Sequence, residues 1–262
     1  MRSFLYHLYF LMLVSALMIV SSCSSYQKIP YFQDLKQTDT ESQNISNYTP
    51  PLVTPGDILA INVSSRNPES SAVFNYNLNT VSGSASVTSE NPVIGYLVDD
   101  NGDIFLPYIG AVSVAGKNIT EVRDGIGKKL TSLYKDPVVN IRIVNFKVSI
   151  MGDVQRPDVY TLQNERTTIT QALSLAGDLN ITAKRTNVLL IRNENGKRVF
   201  VRMDLTSKKL FESPYYYLKN NDEIYVEPDR TKYATVDRGY RTATLLLSGL
   251  SIIAIVLSNL YR

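Results

Sequence analysis

Two adjacent carboxylate pairs, Asp99–Asp100 and Asp222–Glu223, and a run of three phenol rings, Tyr215–Tyr216–Tyr217, are the side chains best suited by type to act on a polar ligand. Paired carboxylates run glycoside hydrolysis when they face each other across the bond, roughly 5–10 Å apart. Here each pair is adjacent in the chain and sits in turn sequence. On a strand, neighbouring side chains point to opposite faces, so neither pair meets that geometry. The three tyrosines can stack on sugar rings, or they can pack a strand, where aromatic residues are favoured. The sequence leaves both readings open. Nucleophilic and metal chemistry has little to draw on: one His, His7, and one Cys, Cys23, both near the N-terminus. The glycines at 110, 116, 125 and 127 form neither G-x-x-x-x-G-K-[ST] nor G-x-G-x-x-G, so no phosphate loop is present. No catalytic residue, metal site or cofactor is expected.

The first 23 residues explain where His7 and Cys23 go. MRSFLYHLYFLMLVSALMIVSSC has Arg2, an apolar run from Leu8 to Val20, and then Ser21, Ser22 and Cys23. A short apolar core followed by small residues predicts a secretory signal over residues 1–22. Val20–Ser21–Ser22–Cys23 has the form of a lipobox, which would make Cys23 the lipidated first residue of the mature chain. Cleavage removes His7 and Arg2 and leaves 26 basic against 24 acidic side chains. A near-balanced charge without a basic run argues against nucleic acid as a partner. Acyl chains contribute about 0.8 kcal/mol per buried methylene, so Cys23 would tether the chain to a membrane.

The elements that must position the remaining candidates follow from periodicity. Residues 24–50 are polar, with little period, and end at Pro50–Pro51; they read as a tether or arm. TPGDILAINV predicts a turn and a strand. Residues 64–92 are rich in Ser, Asn and Thr and read as a surface insertion. GYLVDDNGDIFL carries a hairpin signal at Asp100–Asp103. NITEVRDGIGKKLTSLY predicts a helix capped by Asn118 or Thr120, with Ile119, Val122, Ile126, Leu130 and Leu133 on one face. A strand with Val139, Ile141 and Ile143 on one side comes next. This first unit is α+β, paired mainly through hairpins.

A second unit begins near Lys147. VSIMGDVQRPDVYTL reads as strand, turn, strand. TTITQALSLAGDL reads as a short helix capped by Thr167 or Thr168, burying Ile169, Leu173 and Ala176 and stopped by Gly177. NVLLIRNENGKRVFV is a hairpin around Asn195–Gly196. YYYLKNNDEIYVEP completes a last strand pair. This order suggests a β-grasp-like sheet cradling one helix. TPGDILAINV, DNGDIFLPYI and KNNDEIYVEP share a turn, an Asp (57, 103, 222) and a strand, as expected of carboxylates that cap turns.

The chain ends in ATLLLSGLSIIAIVLSNLYR, with no charged residue from 243 to 260. Eighteen helical residues span about 27 Å, close to a hydrocarbon core of about 30 Å. At 100° per residue, Thr244, Ser248, Ser251, Ile255 and Ser258 share a stripe opposite Leu246, Leu250, Ile253, Leu257 and Leu260. The helix is either a plain anchor whose hydroxyls bond back to its own carbonyls or one stave of a helical barrel with the hydroxyls inward. Arg238 and Arg241 would then collar the entrance, or anchor at head groups.

These strings resemble a known family. TPGDILAINV and GYLVDDNGDIFLPYIGAVSVAGKNITEVRDGIGKKLTSLYKDPVVNIRIV resemble the polysaccharide-export domain of Wza-like outer-membrane export lipoproteins. VSIMGDVQRPDVYTLQNERTTITQALSLAGDL resembles the SLBB, or soluble-ligand-binding β-grasp, module that follows it. Pro157–Asp158 stands where that module usually has Pro-Gly, and one such module is evident where some relatives have more. The resemblance implies an α+β chain with a polysaccharide-export domain at 48–146, one SLBB domain at 147–229, a linker at 230–240 and a transmembrane helix at 241–262. An arm at 23–47 precedes them. It further implies a homo-oligomeric ring in the outer membrane, lipid-anchored with its body in the periplasm. The ring would pass capsular or extracellular polysaccharide above an inner-membrane co-polymerase or tyrosine kinase. Thr244, Ser248, Ser251 and Ser258 would line the pore. A tethered glycan- or partner-binding scaffold without its own pore is the alternative, and an envelope carbohydrate-active enzyme a further rival.

Overall fold

A computed structural model of the chain describes residues 29–35, 40–45, 47–75, 95–194, 196–233 and 238–260. The expected signal, Cys23 and most of the insertion lie outside them.

The first unit is built on β1 (Ile58–Ser64). Its inward column Leu59, Ile61 and Val63 faces Ile143, Ile141 and Val139 of a later strand in antiparallel register. Between them come a short helix α1 (Pro68–Ser71), β2 (Tyr96–Leu97), the β3–β4 hairpin (Asp103–Leu106 and Gly110–Ser113), helix α2 (Ile119–Leu130) and then β5 (Val138–Ile143). The three-stranded sheet has the order β2-β1-β5. Its central pairing is therefore long-range, not a hairpin as expected. The turn at Asp99–Asp103 forms, with the Gly102 amide donating to the Asp99 carbonyl, but its flanking strands part into different sheets. The tight hairpin is one step later, at Pro107–Ile109, where Tyr108 takes a φ of +60°.

Helix α2 starts where Asn118 and Glu121 cap each other reciprocally, and it buries Val122, Ile126 and Leu130. It ends there, so Leu133 lies in the following turn and is exposed. Losing an Asn cap costs about 1 kcal/mol. Asn118→Ala is expected to lower stability by about that amount in denaturant titration, with Thr120→Ala near neutral. The expected insertion is not wholly a surface feature. Phe74 is completely buried, and the Asn75 side chain pairs with both backbone groups of Val63.

The second unit is a five-stranded sheet, ordered β7-β6-β10-β8-β9. Its strands are β6 (Lys147–Gly152), β7 (Asp158–Thr161), β8 (Ala183–Glu194), β9 (Lys197–Met203) and β10 (Asp222–Pro228). The first and last strands of the unit lie side by side in parallel. That central parallel pair, flanked by antiparallel ones, is the β-grasp arrangement expected. Gly152 ends β6 at a φ of +96°, where a Cβ would lie 2.1 Å from the Val226 carbonyl oxygen. Helix α3 (Ile169–Leu175) is capped by Thr168 with Gln171. It buries Ile169 and Leu173, with Ala176 just beyond its end, and Gly177 stops it at a φ of +79°. Glu194 pairs with Lys197 across the β8–β9 turn; Asn195 lies outside the described residues.

The repeated turns share a mechanism. Gly56 and Asn221 both have positive φ, and each is followed by an Asp whose carboxylate accepts the amide three residues back, Thr54 for Asp57 and Lys219 for Asp222. In the middle copy Asp99, not Asp103, does the capping. The two outer turns also touch: the Asn220 side-chain amide donates to Asp57 at 2.7 Å, and its oxygen accepts the Lys147 amide, which ties the two sheets together.

After β10 the chain is held down before the final helix leaves. Asp153 is buried and accepts from Thr182, Asn180 and Lys232. Burial pushes its carboxyl up, but the hydrogen bonds from Lys232, Thr182 and Asn180 outweigh that and hold it below the ordinary aspartate range. A depressed folded pKa contributes stability above the unfolded value of about 3.9, and that contribution is lost as pH falls through the folded value. Amide protection factors at residues 230–233 are expected to fall as pH drops below about 4. Lys232→Met should produce the same loss at neutral pH.

Candidate functional site

The polar arm is not a loose tether over its described length. Phe32 and Gln33 donate their amides to the carbonyls of Leu205 and Thr206. Asp34 accepts from the Ser207 hydroxyl and the Lys208 amide. Phe32 stacks on Phe211 with ring centroids 4.8 Å apart. Further along, Lys208 pairs with Glu41, and the Asn47 side chain donates to the carbonyls of Phe211 and Ser213 at 2.7 and 2.6 Å. The arm thus straps onto the second unit. No periodicity announces it; the one sign is a pair of rings, Tyr31–Phe32, inside a polar stretch.

The three candidate tyrosines lie under this strap, in a turn rather than the strand expected. Among the described residues, the isolated bridge from Tyr217 to Thr168 is what links them to another segment by β-type bonds. All three are half-buried. Tyr216 meets Phe211 and Tyr217 edge-on, and its phenol reaches the Thr170 hydroxyl at 3.4 Å. Tyr48 of the arm meets Tyr217 edge-on at 5.0 Å, and the Arg166 guanidinium lies 4.6 Å above Tyr48. Burial raises the Tyr48 phenol above its usual value. Tyr215 faces the Arg192 guanidinium at 5.2 Å.

Arg192 leads to the strongest electrostatic feature. Its Nε and Nη2 donate to the two oxygens of Asp222 at 2.9 and 2.6 Å, and Nη2 also reaches the Tyr217 carbonyl. Both side chains are almost wholly enclosed, at 3% and 1% exposure. Burial pushes the Asp222 carboxyl up, and the Arg192 fork opposes it. Asp222 is therefore committed to holding the tyrosine turn against the sheet. Glu223 points to the other face of β10, so Asp222 and Glu223 do not face each other across a gap. Asp99 is engaged in capping its own turn. Position 192 falls on the buried side of β8, and an alternation rule that counts only apolar residues passes over it.

The last element, helix α4 (Arg238–Leu260), is continuous over 23 residues. The described side chains of its apolar face are left uncovered by the other described residues, with Leu246 69% and Leu250 62% exposed. Thr244, Ser248 and Ser251 follow one another along a stripe. The Ser248 hydroxyl donates to the Thr244 carbonyl at 2.8 Å and that of Ser251 to the Ser248 carbonyl at 2.7 Å. The side chains of Arg238, Arg241 and Ser258 lie outside the described residues. The expected transmembrane character is not met at this level: among the described residues no helix is long and apolar enough to cross a membrane.

Fold and site define a two-module α+β protein: a small antiparallel unit, then a β-grasp module strapped by the N-terminal arm, then a protruding helix. Residues 46–144 match the family described as polysaccharide biosynthesis/export protein, and residues 146–226 match the SLBB domain. The chain therefore carries a polysaccharide biosynthesis/export domain followed by an SLBB domain. It is similar to the EPS I polysaccharide export outer membrane protein EpsA of Ralstonia solanacearum, at 27% identity over 208 residues, 78% of this chain and 55% of the relative. The corresponding protein of Ralstonia nicotianae is 29% identical over 187 residues, 70% of this chain and 49% of the relative. The exopolysaccharide production protein ExoF of Rhizobium meliloti is 30% identical over 107 residues, 39% of this chain and 23% of the relative. The chain thus spans about half the length of the two export proteins it matches.

Proposed function

We propose that this protein exports an extracellular or capsular polysaccharide across the outer membrane as a ring of identical subunits, lipid-anchored through Cys23, with its two modules (48–146 and 147–229) in the periplasm. Its partners in this reading are the polymer and an inner-membrane co-polymerase or kinase; no step of catalysis is assigned to it. The names of its relatives support export and the outer membrane.

The observation that carries the channel is the uncovered terminal helix. Burying apolar surface is worth about 25 cal/mol per Å2, so an exposed row of Leu and Ile seeks lipid or further copies of itself. Counted along the whole sequence, residues 243–260 carry no charge. In a ring, the aliphatic face turns to lipid while Thr244, Ser248, Ser251 and Ser258 turn to water. Arg238 and Arg241 then stand at the periplasmic mouth. A hydroxyl that donates to its own helix keeps acceptor lone pairs, so the stripe still offers a saccharide uncharged hydrogen-bond partners. The same back-bonds favour a second reading, in which α4 is a plain anchor and the protein a tethered scaffold. Electron microscopy of detergent-extracted protein decides: closed rings with a central density of helices support the channel, and uniform monomers end it. Ser251→Cys labelled by a membrane-impermeant thiol reagent, with Leu250→Cys protected, would place the stripe on water.

A further inference from the structure

The arm does not lie flush against the second module. Two cavities open along the seam. The first, of about 470 Å3, lies between Tyr31 and Phe32 of the arm and Thr170, Ser174 and Asp178 at helix α3. The second, of about 380 Å3, lies between Gln43, Asn44 and Asn47 of the arm and the rings of Phe211, Tyr216 and Tyr217. Both fall within the size range of small-ligand sites, about 300–1,000 Å3. They run in series. Thr170 lines the first cavity and its hydroxyl meets the Tyr216 phenol of the second. Phe32 of the first stacks on Phe211 of the second.

The first lining sets the Tyr31 and Phe32 rings beside the Thr170 and Ser174 hydroxyls and the Asp178 carboxylate, which accepts from the Tyr31 phenol; the second sets rings beside side-chain amides. Side-chain amides supply donors and acceptors together. Asn47 spends its NH2 on two backbone carbonyls, and Gln43 spends its own on Glu212, which leaves both oxygens as acceptors. The charges at the second cavity cancel, because Lys208 pairs with Glu41; a phosphate would meet a cation already engaged. Ring surfaces beside hydroxyl, amide and carboxylate groups match a pyranose, which has an apolar C–H face and a rim of hydroxyls. Two such cavities in line suit a linear chain better than a compact metabolite.

We propose that the seam between the arm and the second module binds a stretch of the exported saccharide, with sugar units in both cavities and the Phe32–Phe211 stack between them. The site rests on the export reading above. It places polymer contact on the periplasmic body, ahead of the helical pore.

The test is calorimetry on the detergent-purified full chain, titrated with size-fractionated oligosaccharides made by partial acid hydrolysis of the host's own extracellular polymer. Affinity is expected to rise with length until the fragment reaches both cavities. Ser174→Trp, on the exposed side of α3, and Asn44→Trp, on the arm, fill one cavity each. Each should weaken binding roughly tenfold with unchanged circular dichroism. No binding by the parent, equal affinity for monosaccharides and longer fragments, or variants that bind as tightly as the parent would overturn the site. Deletion of the gene separates the two claims. If polymer is retained in the envelope but the purified protein binds no fragment, the seam fails and export stands. If secretion is intact, the export reading itself fails.

Discussion

Arg192→Ala is expected to destabilise the protein by about 3–5 kcal/mol, because it strands a buried carboxylate. Arg192 and Asp222 are joined by a two-point fork in a region almost closed to solvent. Removing the cation leaves Asp222 with the Lys219 amide as its remaining donor. For a chain of this size the loss corresponds to a fall in melting temperature of roughly 10 °C or more. Arg192 also holds the Tyr217 carbonyl, so the tyrosine turn and the arm above it should loosen too, visible as new proteolytic cuts in residues 40–48. Replacing both partners with apolar residues, Arg192→Met with Asp222→Leu, should recover much of the loss, since the desolvation cost of both charges disappears together. A double variant no more stable than Arg192→Ala would show that the pair contributes more than mutual neutralisation.

Ser251→Leu is expected to cut secreted polymer roughly tenfold while leaving the protein folded and membrane-bound, because an apolar constriction dries a narrow pore. Ser251 stands three residues after Ser248 and seven after Thr244, on one stripe of α4. In the proposed ring, leucine there would replace a hydroxyl with a branched apolar group in every subunit at once, which would multiply a small local change. Leu250→Val, on the opposite side, should leave export within a factor of two. The measurement is polysaccharide in the culture supernatant against that retained in the envelope. Normal export by both variants would mean that the stripe faces no lumen and that α4 only anchors.

Much of the local architecture was legible before any coordinates. Asn118 with Glu121 three residues on announced the start of α2, and Ile169, Leu173 and Ala176 announced the buried face of α3. Leu59, Ile61 and Val63 announced the inward face of β1. Each of these depends on neighbours within a few residues, where backbone period and capping hydrogen bonds decide the outcome. Other readings failed in an instructive way. The turn at Asp99–Asp103 formed, yet its strands went to different sheets. Leu133 extended the periodicity of α2 beyond the point where the helix stops. The tyrosine run resembled a strand by composition and became a turn held by Arg192.

Composition and local spacing were enough to establish an α+β chain with two modules, a β-grasp order in the second, charge-free residues 243–260, and Asp57 and Asp222 as turn caps. Pattern matching to relatives carried the family. Tertiary structure alone decided that β1 pairs with β5, that Asn220 reaches Asp57 across the modules, and that a polar arm straps an aromatic turn to leave two cavities in line. Period tells a side chain which face it occupies, but the partner on that face is selected by packing the whole chain at once. Contacts between residues such as Asn47 and Ser213, or Arg192 and Asp222, therefore leave no mark on the residues next to them in sequence.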